Sequence, residues 1–394
     1  MDRYDAIVLG TGGVGSAALM HLAARGASAL GIDRFEPGHD RGSSHGQTRL
    51  IRQAYYEHPD YVPLLKRAFE LWAKLEADAN QQLYHQVGLL QIGPPDGEVL
   101  KGVRSSARQH GLPIENLTAA ESHRRFPGFR VDDDCEAIFE ARAGYLLVER
   151  CVEAHASQAV RLGAQLHTGE TVRAWRAEGS TVLVETDRAS YSTSRLIITA
   201  GAWAGQLLAQ LSIPLEVRRK PLYWFRPRTN IYLSAQGCPA FLYDLENWDL
   251  EKRGRESLFA SPGCYYGFPQ IDSAGIKVAE HTGGQVVADP LTVDRGNDPA
   301  EQRRVADFVQ RYLTQATTEC TDYAVCLYTM TPDRHFVVDA HPDHPQVVFA
   351  AGLSGHGFKF TGVLGEALVQ LALDGKTALP IGFLSAARES LRSM

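Results

Sequence analysis

The sequence lacks any run of about 18 uninterrupted apolar residues, so nothing in it reads as a membrane-spanning helix. Its six cysteines show no paired spacing, which argues against a disulfide framework and points to a reducing, cytoplasmic setting. Neither sign of charge is in large excess: 40 Lys and Arg stand against 46 Asp and Glu, a net charge of -6. That balance offers no general attraction for nucleic acid or an anionic membrane. An anionic ligand would have to be gripped by a few local cations. Internal repeats and low-complexity tracts are absent, which argues against a solenoid or a disordered array. The first apolar run, Ala6 to Leu9, is broken at once by Gly10, unlike a secretory leader.

What is present is an ordinary globular composition, 44% hydrophobic and 22% charged over 394 residues. That length suits two domains and a core able to enclose a cofactor. Asp5 to Leu9 reads as a buried parallel strand, Gly10 to Gly15 as a turn, and Ser16 to Arg25 as a helix that Gly26 ends. Ala29 to Ile32 is a second strand, closed by Asp33. Apolar spacing from Tyr61 to Leu75 predicts a helix over 61–79. Two further strand-glycine units end at Gly201 and Gly352, the latter followed by a helix from about Thr361 to Leu373. The predicted fold is therefore mixed α/β. A discontinuous Rossmann-like domain spans 1–86, 147–218 and 326–385, and a second, mostly antiparallel domain spans 87–146 and 219–325.

Gly10, Gly12 and Gly15 fit G-x-G-x-x-G between a strand and a helix. The glycines serve a tight turn, backbone approach to a pyrophosphate, and close helix–strand packing. The helix start then offers free N–H groups to phosphate. Asp33 is placed to accept ribose hydroxyls, and its acidity argues against a 2′-phosphate despite Arg34 beside it. This motif alone does not separate FAD from NAD, so an NAD-dependent dehydrogenase stays open on it. The additional units at Gly201 and Gly352 favour the longer FAD.

Five stretches carry a specific resemblance: Gly42 to Arg52, Tyr265 to Pro269, Lys277 to His281, Cys326 to Asp333, and Ser354 to Phe360. In content, order and spacing the chain resembles, over nearly its whole length, the family of monomeric sarcosine oxidase, N-methyltryptophan oxidase and pipecolate oxidase. The resemblance implies FAD held covalently through Cys326 by an 8α-S-cysteinyl bond. Cys320 is the rival thiol, but only Cys326 precedes Tyr-Thr-x-Thr-Pro-Asp. It implies that Arg52 and Lys359 bind a substrate carboxylate, which suits a guanidinium fork and a compact ammonium. Arg49 would lie against the flavin ring, and Lys277 would activate oxygen by stabilising developing superoxide charge. Tyr266, His281, Tyr328 and His356 would line the substrate side. Ser43, His45, Thr48, Val172, Gly355, Gly357 and Phe358 would join Gly201, Asp33 and Arg34 around the cofactor.

Taken without that family, the same residues read more plainly. Arg49 and Arg52 would share one face of a helix and make surface salt bridges, Lys277 would face solvent from an alternating strand, and Cys326 would be a core thiol. Lys359, between two phenylalanines after Gly-His-Gly, is odd for a solvated face. Two departures from the family stand out. Ser44 and Gln47 occupy places usually held by His and Asp, and Asp244 to Gly263, with Trp248, Arg253 and Arg255, forms a longer segment.

The expected activity is FAD-dependent oxidation of a secondary amino acid, sarcosine or another N-methyl amino acid. The products would be an imine, then an aldehyde and a primary amino acid, with hydrogen peroxide from dioxygen. N-Methyltryptophan, a cyclic imino acid (pipecolate or proline) and a sugar-modified amino acid are alternative substrates. A flavin-binding protein without turnover is the alternative from another class. The expected partners are the small-molecule amino acid and dioxygen, without nucleic acid, membrane or metal, and the chain is expected to act as a monomer.

Overall fold

The computed structural model describes residues 1–245 and 263–391. The long segment noted above falls largely on 246–262, so Trp248, Arg253 and Arg255 lie outside the described residues.

The run Ala6–Leu9 is apolar without alternation because both faces of its strand are covered. Ala6 and Val8 pack with Leu19, Leu22 and Trp72 on one side, and Ile7 and Leu9 pack with Leu30, Val184 and Phe349 on the other. The strand Asp2–Leu9 is paired in parallel with Ala29–Ile32 and with Ser190–Ile198. Ser190–Ile198 is in turn parallel to Val347–Ala351. Leu9 is level with Ile32 and Ile198, and Ile198 with Phe349, so these strands end together at one edge of the sheet. Antiparallel strands Val172–Glu178, Thr181–Thr186 and Val337–Ala340 complete it, with Gln165–His167 at the far side. Each expected glycine unit leaves this carboxyl edge.

The first helix runs Gly13–Ala24. Gly26, at φ 75°, donates to the Ala23 carbonyl at 2.9 Å and ends it as expected. The helices Tyr61–Ala79 and Thr361–Asp374 also lie where the apolar spacing puts them.

A second eight-stranded sheet runs from Ala316–Met330 through Glu216–Pro227, Ile276–Glu280, Cys264–Phe268, Ala240–Asp244, Leu89–Gly93 and Glu136–Glu140 to Glu115–Thr118. It is antiparallel except where Ala240–Asp244 meets Leu89–Gly93. An aromatic core backs one face: Tyr265 stacks on Phe308 of the helix Pro299–Tyr312 with centroids 4.4 Å apart. The other face carries Leu222, Trp224, Tyr266, Phe268 and Cys326 toward the first sheet's carboxyl edge.

The plain reading of Arg49 to Arg52 as helical is corrected. Thr48–Ile51 is a short strand paired antiparallel with Gly144–Leu147, so its partner lies about a hundred residues away and leaves no local signal. The reading of Lys277 as solvent-facing is also corrected. Both faces of Ile276–Glu280 are covered, and Lys277 is 1% exposed.

Candidate active site

One cavity opens where the carboxyl edge of the first sheet meets the inner face of the second. It holds about 1810 Å³ of space free of atoms, counting its open mouth. At one end lie Gly10, Gly12 and Gly13, with Asp33, Arg34, Val172 and Gly201. A Cβ on Gly15 would sit 1.8 Å from the Gly10 carbonyl, so nothing larger than glycine fits between turn and helix. The helix N-cap, Gly12, makes no side-chain cap bond, and no acidic residue occupies the first turn. Its positive dipole end and the N–H groups other than that of Gly13 are therefore available to a phosphate. Asp33 accepts from Thr11 N at 2.6 Å and Phe35 N at 2.9 Å, which fixes the carboxylate at the strand end with lone pairs to spare. Arg34 Nη1 is buried without a partner, and its guanidinium lies 6.0 Å from the Trp203 ring. This orphaned donor, the glycine turn and the fixed carboxylate fit an adenine dinucleotide.

Along the middle of the cavity runs the segment Gly42 to Thr48. Ser43 Oγ donates to Leu327 O at 2.5 Å. Ser44 Oγ accepts from Gly13 N at 3.3 Å, so this departure from the family sits at the helix N-terminus. His45 is buried, its Nε2 without a partner. Arg49 is half-buried and donates to Thr48 O and Ser43 O, both at 2.8 Å, and Nη2 reaches Cys326 Sγ at 3.0 Å.

Lys277 comes from the second sheet. Its ammonium donates to Gly46 O at 2.6 Å, Thr48 O at 2.7 Å and Thr48 Oγ1 at 2.9 Å. The Phe268 ring lies 4.4 Å away. Gln47, at φ 75°, turns these carbonyls toward the lysine. Its side chain accepts from Trp224 Nε1 at 3.0 Å and donates to Asp272 Oδ2 at 2.5 Å. Burial, then Arg49, pushes the Lys277 pKa well down.

The far end is a small polar chamber. Arg52 is 3% exposed, and its Nη2 contacts both oxygens of Glu57 at 2.9 and 2.8 Å. The guanidinium lies between the Tyr55 and Tyr56 rings, 4.7 and 4.9 Å from their centroids. Its Nε is buried without a partner. This corrects the plain reading of Arg52 as part of a surface salt bridge. The pair is buried because Arg52 follows a strand walled in by the cavity. Despite its burial, Glu57 is held down to about 2, chiefly by Arg52. Lys359 donates to His356 O at 2.7 Å and to the Tyr55 hydroxyl at 3.3 Å. His356 Nε2 lies 2.9 Å from Arg334 O and so carries the proton, leaving Nδ1 to accept from Tyr55 at 2.6 Å. Tyr328 OH bridges Tyr266 OH and His281 Nδ1, each at 3.3 Å.

Thus Arg49, Arg52, Tyr266, His281, Tyr328, Gly355, His356, Gly357, Phe358 and Lys359 share the cavity with the glycine turn, as do Ser43, Val172 and Gly201. Gly15, His45, Thr48, Lys277 and Cys326 stand behind its wall. Glu57, Tyr55, Tyr56 and Trp203 were not anticipated. Glu57 lies five residues after Arg52, a spacing that signals an ion pair only once the chain is known to turn there.

Burial holds four histidines neutral: His45, His155 and His281 are pushed down to about 3, and His356 to about 4. An exposed histidine titrates near ~6.5, so as pH falls the unfolded chain takes up protons first. Stability from these groups is complete above that value and is lost as pH falls through the window between ~6.5 and the folded values, by up to about 1.4 kcal/mol per histidine per pH unit. Thermal melts are expected to show Tm falling steadily from pH 6.5 to 4.5. A flat Tm over that range would contradict neutral burial.

The family described as "FAD dependent oxidoreductase" matches residues 5–371. The chain is 41% identical to monomeric sarcosine oxidase of Streptomyces avermitilis, over 98% of this chain and 97% of that one. It is 34% identical to N-methyl-L-tryptophan oxidase of Yersinia pestis, over 98% and 99%. Among solved structures, the open form of NikD, an unusual amino acid oxidase essential for nikkomycin biosynthesis, shares the fold. Its TM-score is 0.84 at 23% identity, covering 98% of both chains.

Proposed function

The chain belongs to the FAD-dependent oxidoreductase family, and from that premise we propose that it is an oxidase of small secondary amino acids, sarcosine or another N-methyl amino acid. The observation that carries this reading is the continuity of the cavity from a dinucleotide cradle to a chamber holding Arg52 and Lys359. FAD, when bound, takes two electrons from the substrate C–N unit and passes them to dioxygen, giving hydrogen peroxide. The chain's own groups bind, orient and screen.

The substrate carboxylate docks on Arg52, at the expense of Glu57, with the partnerless Nε and Lys359 as further donors. The amine must arrive without its proton, because the protonated nitrogen has no lone pair to give. Arg49, Arg52 and Lys359 make the ammonium form costly in a desolvated chamber. Neutral His281 and His356 add no charge of their own. His281 fixes the Tyr328 hydroxyl, and His356 fixes that of Tyr55. Lys277 serves oxygen by offering a buried positive charge. The imine formed leaves and hydrolyses, to formaldehyde and a primary amino acid for an N-methyl substrate.

The finer reading is that Cys326 Sγ tethers the FAD at its 8α carbon, with Arg49 Nη2 3.0 Å from the sulfur. The cofactor-binding domain is 1–86, 147–218 and 326–385, which also lends Arg52 and Lys359 to the substrate, and the second domain is 87–146 and 219–325, with the boundary at 326 falling inside the strand Ala316–Met330. The name of the Streptomyces relative supports a monomer, and the cysteine usage supports a cytoplasmic setting. Among the described residues, no helix is long and apolar enough to cross a membrane.

The test is an aerobic panel of sarcosine, N-methyltryptophan, pipecolate, proline and a fructosyl amino acid, read by peroxide release. Sarcosine or another small N-methyl amino acid is expected to give the highest kcat/KM, and acid-precipitated protein is expected to be yellow. Flavin-loaded protein that releases no peroxide from any of them would overturn the activity. A colourless pellet would overturn the tether alone.

A further inference from the structure

Arg295 is half-buried outside the cavity, and none of the proposed chemistry uses it. Its guanidinium is spent on main-chain carbonyls: Nη1 donates to Asp40 O and Val325 O, both at 2.8 Å, and Nη2 to Arg41 O at 2.7 Å. Among the described residues no carboxylate lies within ion-pair reach of it. The carbonyls come from two segments far apart in sequence. Asp40 and Arg41 lead into Gly42, Ser43 and Ser44, which line the cavity wall. Val325 immediately precedes Cys326. Two further ties continue the same seam, from Ser43 Oγ to Leu327 O and from Arg49 Nη2 to both Ser43 O and Cys326 Sγ. The loop bearing Arg295 is itself pinned, since Arg219 donates to Asp294 O at 2.8 Å and to Gly296 O at 2.5 Å while pairing with Glu301.

We propose that Arg295 is a positioning residue for covalent attachment of the flavin: it clamps the wall segment 40–43 to Val325, so that Cys326 Sγ is held at the wall facing the ring methyl group. The inference rests on the tether reading above. A guanidinium suits this task because its fixed fork satisfies three carbonyls at once and so sets the spacing of two segments. In attachment the 8α methyl carbon and the Cys326 sulfhydryl would each give up a proton as the C–S bond forms. The flavin is left with two extra electrons, which dioxygen removes as hydrogen peroxide. One peroxide is therefore released per bond formed. The step needs sulfur and methyl carbon held in contact for long periods, which loose packing of segment 40–43 would prevent.

The test uses the full chain, freed of flavin by expression under riboflavin limitation, and then supplied with FAD. Acid-precipitable flavin is followed over time, and FAD affinity is measured separately by fluorescence quenching. Arg295→Met and Arg295→Gln are both made. FAD affinity is expected to stay within about threefold of native, since none of the Arg295 hydrogen bonds reaches the glycine cradle itself. The rate of covalent incorporation, and the peroxide released with it, is expected to fall at least tenfold. Native-rate attachment in either folded variant overturns the proposal. So does a loss of FAD affinity that parallels the loss of attachment, because that is what a merely structural arginine would give. A native protein that never forms acid-stable flavin overturns the tether reading, and the role of Arg295 with it. Native attachment with fast Arg295→Met attachment overturns the role of Arg295 alone.

Discussion

Replacing Lys277 with methionine is expected to slow reoxidation of the enzyme by dioxygen by about 10²–10³-fold, the usual effect of removing one preorganised electrostatic donor. Reduction by substrate is expected to change by less than about tenfold, because Lys277 stands behind the wall while the substrate chamber is built from other residues. Methionine keeps the length of the side chain and its packing on Phe268, so the loss is one of charge. Stopped-flow measurement of the two half-reactions checks this, and an equal fall in both would remove the assignment to oxygen. The pH dependence has a definite sign. Burial and Arg49 lower the Lys277 pKa, whereas its three oxygen acceptors favour the ammonium. Native reoxidation is therefore expected to decline as pH rises through that lowered value, and the methionine variant to lose this limb.

Arg52→Met is expected to lower kcat/KM for carboxylate-bearing substrates by about 10²–10³-fold, following the roughly 2–5 kcal/mol cost of truncating one partner of a buried charge pair. Part of that cost concerns the fold. Without Arg52 the largely buried Glu57 carboxylate loses its ion pair and keeps Lys359 and neutral His356 near it. The single variant should therefore also melt earlier. Adding Glu57→Gln should restore most of the Tm and little of the kcat/KM, which separates support of the chamber from capture of the substrate. Glu57→Gln alone should tighten binding of a simple carboxylate such as acetate, because Glu57 is held down to about 2 and competes for Arg52 throughout the working pH range. A value of kcat/KM within threefold of native in Arg52→Met would exclude the docking role.

The cradle was legible because its logic is local. Strand, glycine turn, helix and Asp33 lie within about thirty residues, and each constrains the next. The chamber was legible only through family resemblance, since its members come from five separate stretches. Physical reading alone misjudged Arg49 to Arg52, whose four-residue strand is specified by Gly144–Leu147 and by no periodicity of its own. It misjudged Lys277 because an alternating pattern presumes one wet face, and here the helix Pro299–Tyr312 backs the sheet on one side while the cavity wall covers the other. Glu57 escaped notice because an acidic residue in a loop ordinarily faces solvent. Ser44 is a departure from the family, and its contact with Gly13 N puts that departure at the phosphate end of the cavity.

The division of the cavity between two sheets has an evolutionary corollary. Gly10, Asp33, Gly201 and Ala351 come from the parallel sheet, while Leu242 and Tyr266 come from the antiparallel one. Drift in Leu242 or Tyr266 would resize the chamber without touching a single strand that grips the nucleotide. Substrate preference in such a scaffold is a property that descendants exchange cheaply, whereas cofactor choice is one they inherit.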